Sequence, residues 1–160
     1  MAIDMFLKCK GLEGEAQDKE HKDEIDVLDW SWGASNSGTS HVGGGGGAGK
    51  VNVQDLSVTK WVDKSSTALM LACCNGKHFP EMTLTVRKAG ETALEYIVII
   101  IKECLITSLS TGGSGGEDRL TENVSINFAT VEVKYTPQKP DGSADAVKRF
   151  GWDIAKNVKM

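Results

Sequence analysis

The chain has 160 residues, 18 of them lysine or arginine against 22 aspartate or glutamate, and a formal net charge of −4. That length suits one domain, residues 1–160, which buries roughly 70% of its unfolded surface without needing a metal or a crosslink. The basic residues are scattered singly, so no cationic stripe is available to displace counterions from a phosphate backbone, which excludes nucleic acid as the expected partner.

Ile3, Met5, Leu7 and Cys9 alternate with polar residues, the period of a half-buried strand, which Gly11 and Gly14 end. Residues 13–24 (EGEAQDKEHKDE) mix both signs without apolar periodicity and predict a solvated loop. Ile25, Val27, Leu28, Trp30 and Trp32 form the next strand, and the change of phase at Val27 and Leu28 predicts either a bulge or a strand covered on both faces. Residues 33–49 (GASNSGTSHVGGGGGAG) offer almost nothing to bury. Val51, Val53, Leu56 and Val58 resume a strand afterwards, so this segment is predicted to be the tip of a long hairpin. The one helix expected, residues 65–74 (SSTALMLACC), follows a Ser or Asp cap, has Ala68, Leu71 and Ala72 at helical spacing, and ends at Gly76 in the left-handed position.

Met82, Leu84 and Val86 alternate with Thr83, Thr85 and Arg87, and residues 89–91 turn this strand into the next as a hairpin. That partner contains the least polar run of the chain, residues 96–101 (YIVIII), which predicts a core strand covered on both faces. Lys102 and Glu103 interrupt the run, and it is too short to span a bilayer, so membrane insertion is not expected. Leu120, Val124, Ile126 and Phe128 are apolar at even positions, whereas Val131, Val133 and Tyr135 are apolar at odd ones. A switch at Ala129 and Thr130 therefore turns the buried face over, as at a barrel corner. Residues 137–142 make a turn, and Phe150, Trp152 and Ile154 supply a final strand. The fold class predicted is mainly β: an antiparallel barrel or two-sheet sandwich with one short flanking helix and a long glycine-rich hairpin loop.

Short catalytic patterns lack the context their chemistry needs. Residues 44–50 (GGGGAGK) have phosphate-loop spacing, but Val51 replaces the magnesium-binding hydroxyl and a strand follows where a helix N-terminus belongs. Residues 112–116 (GGSGG) match the nucleophile elbow around Ser114, yet His21, His41 and His78 all precede it and no helix follows. Three lone histidines and the unspaced Cys9, Cys73, Cys74 and Cys104 give no metal signature, and no cofactor is expected. The cysteines read as reduced thiols of a protein made in the cytoplasm, and the N-terminus lacks the basic and apolar regions of a cleaved signal. Trp30 and Trp32 share a face that would stack on a sugar ring or fill a core or subunit contact. A hydrolase using Ser114 and a sugar-binding β-sandwich are the alternatives to a non-enzymatic role.

Fixing each glycine backbone costs about 1–2 kcal/mol of conformational entropy, so the glycine loops are expected to gain order from a partner. Many weak arms engaging together would then add their strength.

The segments 24–33 (EIDVLDWSWG), 43–64 (GGGGGAGKVNVQDLSVTKWVDK), 76–78 (GKH), 112–127 (GGSGGEDRLTENVSIN) and 131–142 (VEVKYTPQKPDG) together carry a resemblance along almost the whole chain. The sequence resembles the haemolysin-coregulated protein family, the tube subunits of bacterial type VI secretion systems. One departure is Thr67-Ala68, where a proline opening the helix would be expected. The resemblance implies a homohexameric ring with a central channel, and rings stacked into a tube. It also implies contact with the spike and sheath components, small effector proteins in the lumen, and export from the cytoplasm to the outside without a cleaved signal. By position, Gly33, Ser35, Ser37, His41, Gly43, Gly44, Gly45, Gly46, Gly47, Gly49 and Lys50 are the expected ring-stacking residues. Thr111, Ser114, Glu117 and Asp118 are the expected lumen and cargo contacts.

Overall fold

In the computed structural model, residues 2–38, 41, 49–90 and 92–160 are described. Six strands form an antiparallel barrel: β1 (Ile3–Cys9), β2 (Ile25–Ser31), β5 (Leu56–Trp61), β6 (His78–Lys88), β7 (Leu94–Thr111) and β8 (Thr121–Asn127). Neighbours run β7-β6-β1-β2-β5-β8, and β8 returns to β7 to close the sheet. Of the two architectures predicted, the barrel is the one found. The short strands β3 (Ala34–Ser35) and β4 (Asn52–Val53) pair with each other as the neck of the long hairpin.

The organising element is β7, 18 residues long. One edge pairs with β6 from Leu94 to Leu105, and the other is shared. Its second half pairs with β8, and its first half with β9 (Thr130–Tyr135). The crossover point is Glu103, a non-glycine residue at φ 53, opposite the break between β8 and β9. There Ala129 donates its amide to Lys102 O at 2.9 Å. The predicted change of buried face at Ala129 and Thr130 is this corner. Beyond β9 the sheet continues into β10 (Lys148–Asp153) and β11 (Val158–Lys159), a three-strand wing attached to the barrel. The two-residue β11 adds to the single final strand expected.

Alternation places Leu7, Ile25, Leu56, Val58, Met82, Leu84, Ile99, Ile101, Val124 and Ile126 in the core. The bulge expected at Val27 and Leu28 is present as a register shift between Val27 and Asp29. The cover expected on both faces of residues 96–101 is not complete: Ile99 and Ile101 are buried, whereas Tyr96, Ile97, Val98 and Ile100 are half-buried. Val98 lies between Thr85 and Lys134, and Ile100 between Thr83 and Glu132. Long polar side chains can shield such an outer face with their stems while their heads stay in water.

The helix α1 (Ser66–Asn75) packs against β7 and ends at Gly76 in the left-handed conformation, φ 70, as predicted. Its buried face is Leu69 and Ala72, while Leu71, expected on that face, is 61% exposed. The 13–24 segment departs from expectation in part. It stays largely exposed, but it folds back on the barrel through buried Ala16 and His21, and Gly14, Ala16 and Asp23 are tied by backbone hydrogen bonds within the segment and to Glu24. Gly14 is required there, because a β-carbon would sit 2.5 Å from Glu24 O and 2.7 Å from Ile25 Cα.

Candidate functional site

Both loops expected to act are built on β5. The 33–50 hairpin returns into β5 at Leu56, whereas Trp61, the last residue of β5, pairs with Thr121 just beyond the 111–118 loop. Six extended residues span about 17–20 Å, so the two loops lie at opposite ends of this strand. The structure therefore does not bring them together.

The neck of the hairpin is well defined. Ala34 pairs with Val53 and Ser35 with Asn52, Gln54 donates its amide to Gly33 O at 2.9 Å, and Asn36 Nδ2 donates to Gly49 O at 2.7 Å. Gly49 donates to Ser37 O at 3.3 Å and approaches so closely that a β-carbon would fall 2.1 Å from Ser37 Oγ. Ser35, Ser37, His41 and Lys50 are exposed. Gly43, Gly44, Gly45, Gly46 and Gly47 lie outside the described residues. Lys50 leads into the strand β4, so the phosphate-loop spacing has a strand on its downstream side.

The 111–118 loop joins β7 to β8, with Thr111 opposite Glu122. Thr111, the last residue of β7, and Ser114, Glu117 and Asp118 in the loop are all exposed. Glu117 donates its amide to Ser114 O at 3.1 Å, and Gly116 donates to Ser114 Oγ at 3.3 Å. Among the described residues no histidine is hydrogen-bonded to that hydroxyl. Below the tip, the Arg119 guanidinium lies 4.4 Å from the Trp61 ring centroid. Trp30 and Trp32 are half-buried against the core rather than displayed as a sugar platform, and Trp32 meets Phe150 with ring centroids 6.4 Å apart.

Two charged clusters were missed by the sequence reading. Lys60 is fully buried and directly opposite Glu122 across the β5–β8 pair. Its Nζ is bonded to Glu122 and Ser66 and lies 3.1 Å from Asp63, which joins the helix start to the barrel. The signal was present, because Leu56, Val58 and Lys60 are in phase on one strand and Glu122, Val124 and Ile126 on the other.

The second cluster surrounds Arg87, which bonds Asp18 and Asp4 and lies over the Phe6 ring. The guanidinium hydrogen bond holds the Asp18 carboxyl down at about 2. Burial pushes the thiols of Cys9 and Cys104 up to about 12, so both are inert packing residues, while Cys74 is exposed on α1.

Large apolar side chains are exposed at several places among the described residues, including Ile3, Leu28, Val62, Leu120 and Val147 as well as two groups on α1 and the wing. Met70 and Leu71 lie on the outer face of α1, and Tyr135, Phe150, Val158 and Met160 lie on the wing and the chain end next to it. Among the described residues, no helix is long and apolar enough to cross a membrane.

A family model described as "Type VI secretion system effector, Hcp" matches residues 6–135. The protein called hcp1 of Pseudomonas aeruginosa is 61% identical over 99% of both chains. The crystal structure of Hcp1 from Salmonella typhimurium superposes with a TM-score of 0.83 at 35% identity, covering all of both chains. A structure titled as that of a type six secretion system protein superposes with a TM-score of 0.94 at 31% identity, over 99% of this chain and all of the other. A barrel with a three-strand wing, one flanking helix and a glycine-rich hairpin is thus joined to sequence identity along its whole length, and the chain belongs to the Hcp family of type VI secretion system proteins.

Proposed function

We propose that this chain is the ring-forming subunit of a type VI secretion tube. The observation that carries the proposal is that large apolar side chains stay exposed on two different elements, Met70 and Leu71 on α1 and Tyr135, Phe150 and Val158 on the wing, among others. A head-to-tail contact between copies uses two different surfaces of each chain, and repeating it by a closing rotation generates a ring. Large exposed apolar groups gathered in patches mark such contacts. Family membership supports six copies as the number.

The two loops lie at opposite ends of β5, which suits stacking along an axis parallel to the barrel. We assign the 33–50 hairpin to the contact between successive rings, and Thr111, Ser114, Glu117 and Asp118 to polar contact with small effector cargo. Spike and sheath components are the further partners, and export follows assembly in the cytoplasm.

Solution mass and negative-stain imaging test this together. Rings are expected, and deleting Gly43–Gly47 is expected to leave them intact while shortening or abolishing stacks. A monodisperse 17.2 kDa species at every concentration would overturn the assembly. Stacks of unchanged length in the deletion variant would overturn the loop assignment.

A further inference from the structure

We propose that Glu20, His21 and Glu95 form a binding site for a divalent cation of the zinc class, clamping the 11–24 segment onto the start of β7. The His21 side chain is buried, stacked on Phe6 with centroids 4.5 Å apart and planes 9° from parallel. Its Nδ1 lies 2.9 Å from Glu24 Oε2, and its Nε2 lies 2.8 Å from Glu95 Oε1. A neutral imidazole carries one N–H, and ionised carboxylates only accept. With a carboxylate on each ring nitrogen, one of the two contacts sets lone pair against lone pair unless a cation stands between them. A second proton meets that need, and so does a metal ion.

Three features fit the metal. First, a proton on Nδ1 directed at Glu24 is the carboxylate–histidine arrangement that orients imidazole ligands, and it leaves the Nε2 lone pair facing Glu95. Second, Glu20 brings another carboxylate oxygen, and its ligand atom, His21's and Glu95's all lie within 4.8 Å of one another. Metal–ligand bonds of 2.0–2.2 Å in a tetrahedron place ligand atoms about 3.3 Å apart. Glu20 and Glu95 are exposed, so small rotations of their side chains reach that spacing and leave the outer position to water.

Third, the local charge is unbalanced. The carboxylates of Asp4, Asp18, Glu20, Glu24 and Glu95 surround Arg87 and His21, and the guanidinium is already bonded to Asp18 and Asp4, reaching Glu20 only at 3.8 Å. One nitrogen and two oxygen ligands favour zinc over the all-oxygen shells of calcium and magnesium. No spacing motif announces the site, since His21 and Glu95 are 74 positions apart.

The test is titration of chelator-treated protein with zinc chloride by calorimetry. A Cys74→Ser background removes the exposed thiol as a competing ligand. One ion per chain is expected, bound at least tenfold more weakly after Glu95→Gln and again after His21→Gln. Amide hydrogen exchange across 14–24 is expected to slow with zinc in the parent and not in Glu95→Gln. Glu95 lies at the rim, so its substitution reads the site even if His21→Gln perturbs folding. Failure of zinc to bind the parent, or equal affinity in Glu95→Gln, overturns the proposal, and neither result bears on ring assembly.

Discussion

A lysine shielded from solvent, as Lys60 is, must find its counter-charges inside the protein. It finds Glu122 and Asp63, both buried, so Lys60→Met strands carboxylates in the core and is expected to lower stability by about 3–5 kcal/mol. Adding Glu122→Leu should restore much of that loss, because the pair is then replaced by apolar packing. Urea unfolding of both variants checks this, and a double variant no more stable than Lys60→Met would overturn the expected rescue.

Asp18 behaves differently because it is nearer the surface. Its carboxyl is held at about 2 by Arg87, below the ordinary 3.8, so it adds stability above pH ~4 that is lost as pH falls toward 2. Asp18→Asn is expected to flatten that acid limb in a pH series of unfolding midpoints, leaving the neutral-to-alkaline side with its original shape.

At the scale of elements, two glycines are needed for opposite reasons. Gly76 ends α1 at φ 70 with open space where a side chain would go, so Gly76→Ala is expected to cost about 1–2 kcal/mol from the backbone alone. Gly14 has no space, and the atoms in the way are backbone, so Gly14→Ala must displace the 11–24 segment or Ile25. Thermal unfolding should show the larger loss for Gly14→Ala. Hydrogen exchange should then place its effect in residues 11–24, and that of Gly76→Ala in the last turn of the helix.

Local signals were legible where they act over a few residues. The stop at Gly76, the irregularity between Val27 and Asp29, and the change of face at Ala129 were each written in neighbouring side chains. The 11–24 segment was not legible, because its anchors Arg87 and Glu95 come from strands paired far away in sequence. Leu71 was misplaced because α1 is apolar on its outer side too, so spacing alone could not choose the buried face.

For the molecule as a whole, the class and the hairpin of β6 with β7 followed from strand periodicity, whereas the strand order and closure did not. Whether a row of antiparallel strands ends as a sandwich or returns on itself depends on one additional pairing, β7 with β8, and no residue pattern announces it. The candidate site was legible only as loops: their separation at opposite ends of β5 emerged from the register of that strand with β8. The shared strand β7 has a mechanical consequence. Barrel and wing hang from the same ribbon of backbone, so a pull on the far strands is carried lengthwise into the closed sheet. There the rungs of the ladder bear the load in parallel and must give way together.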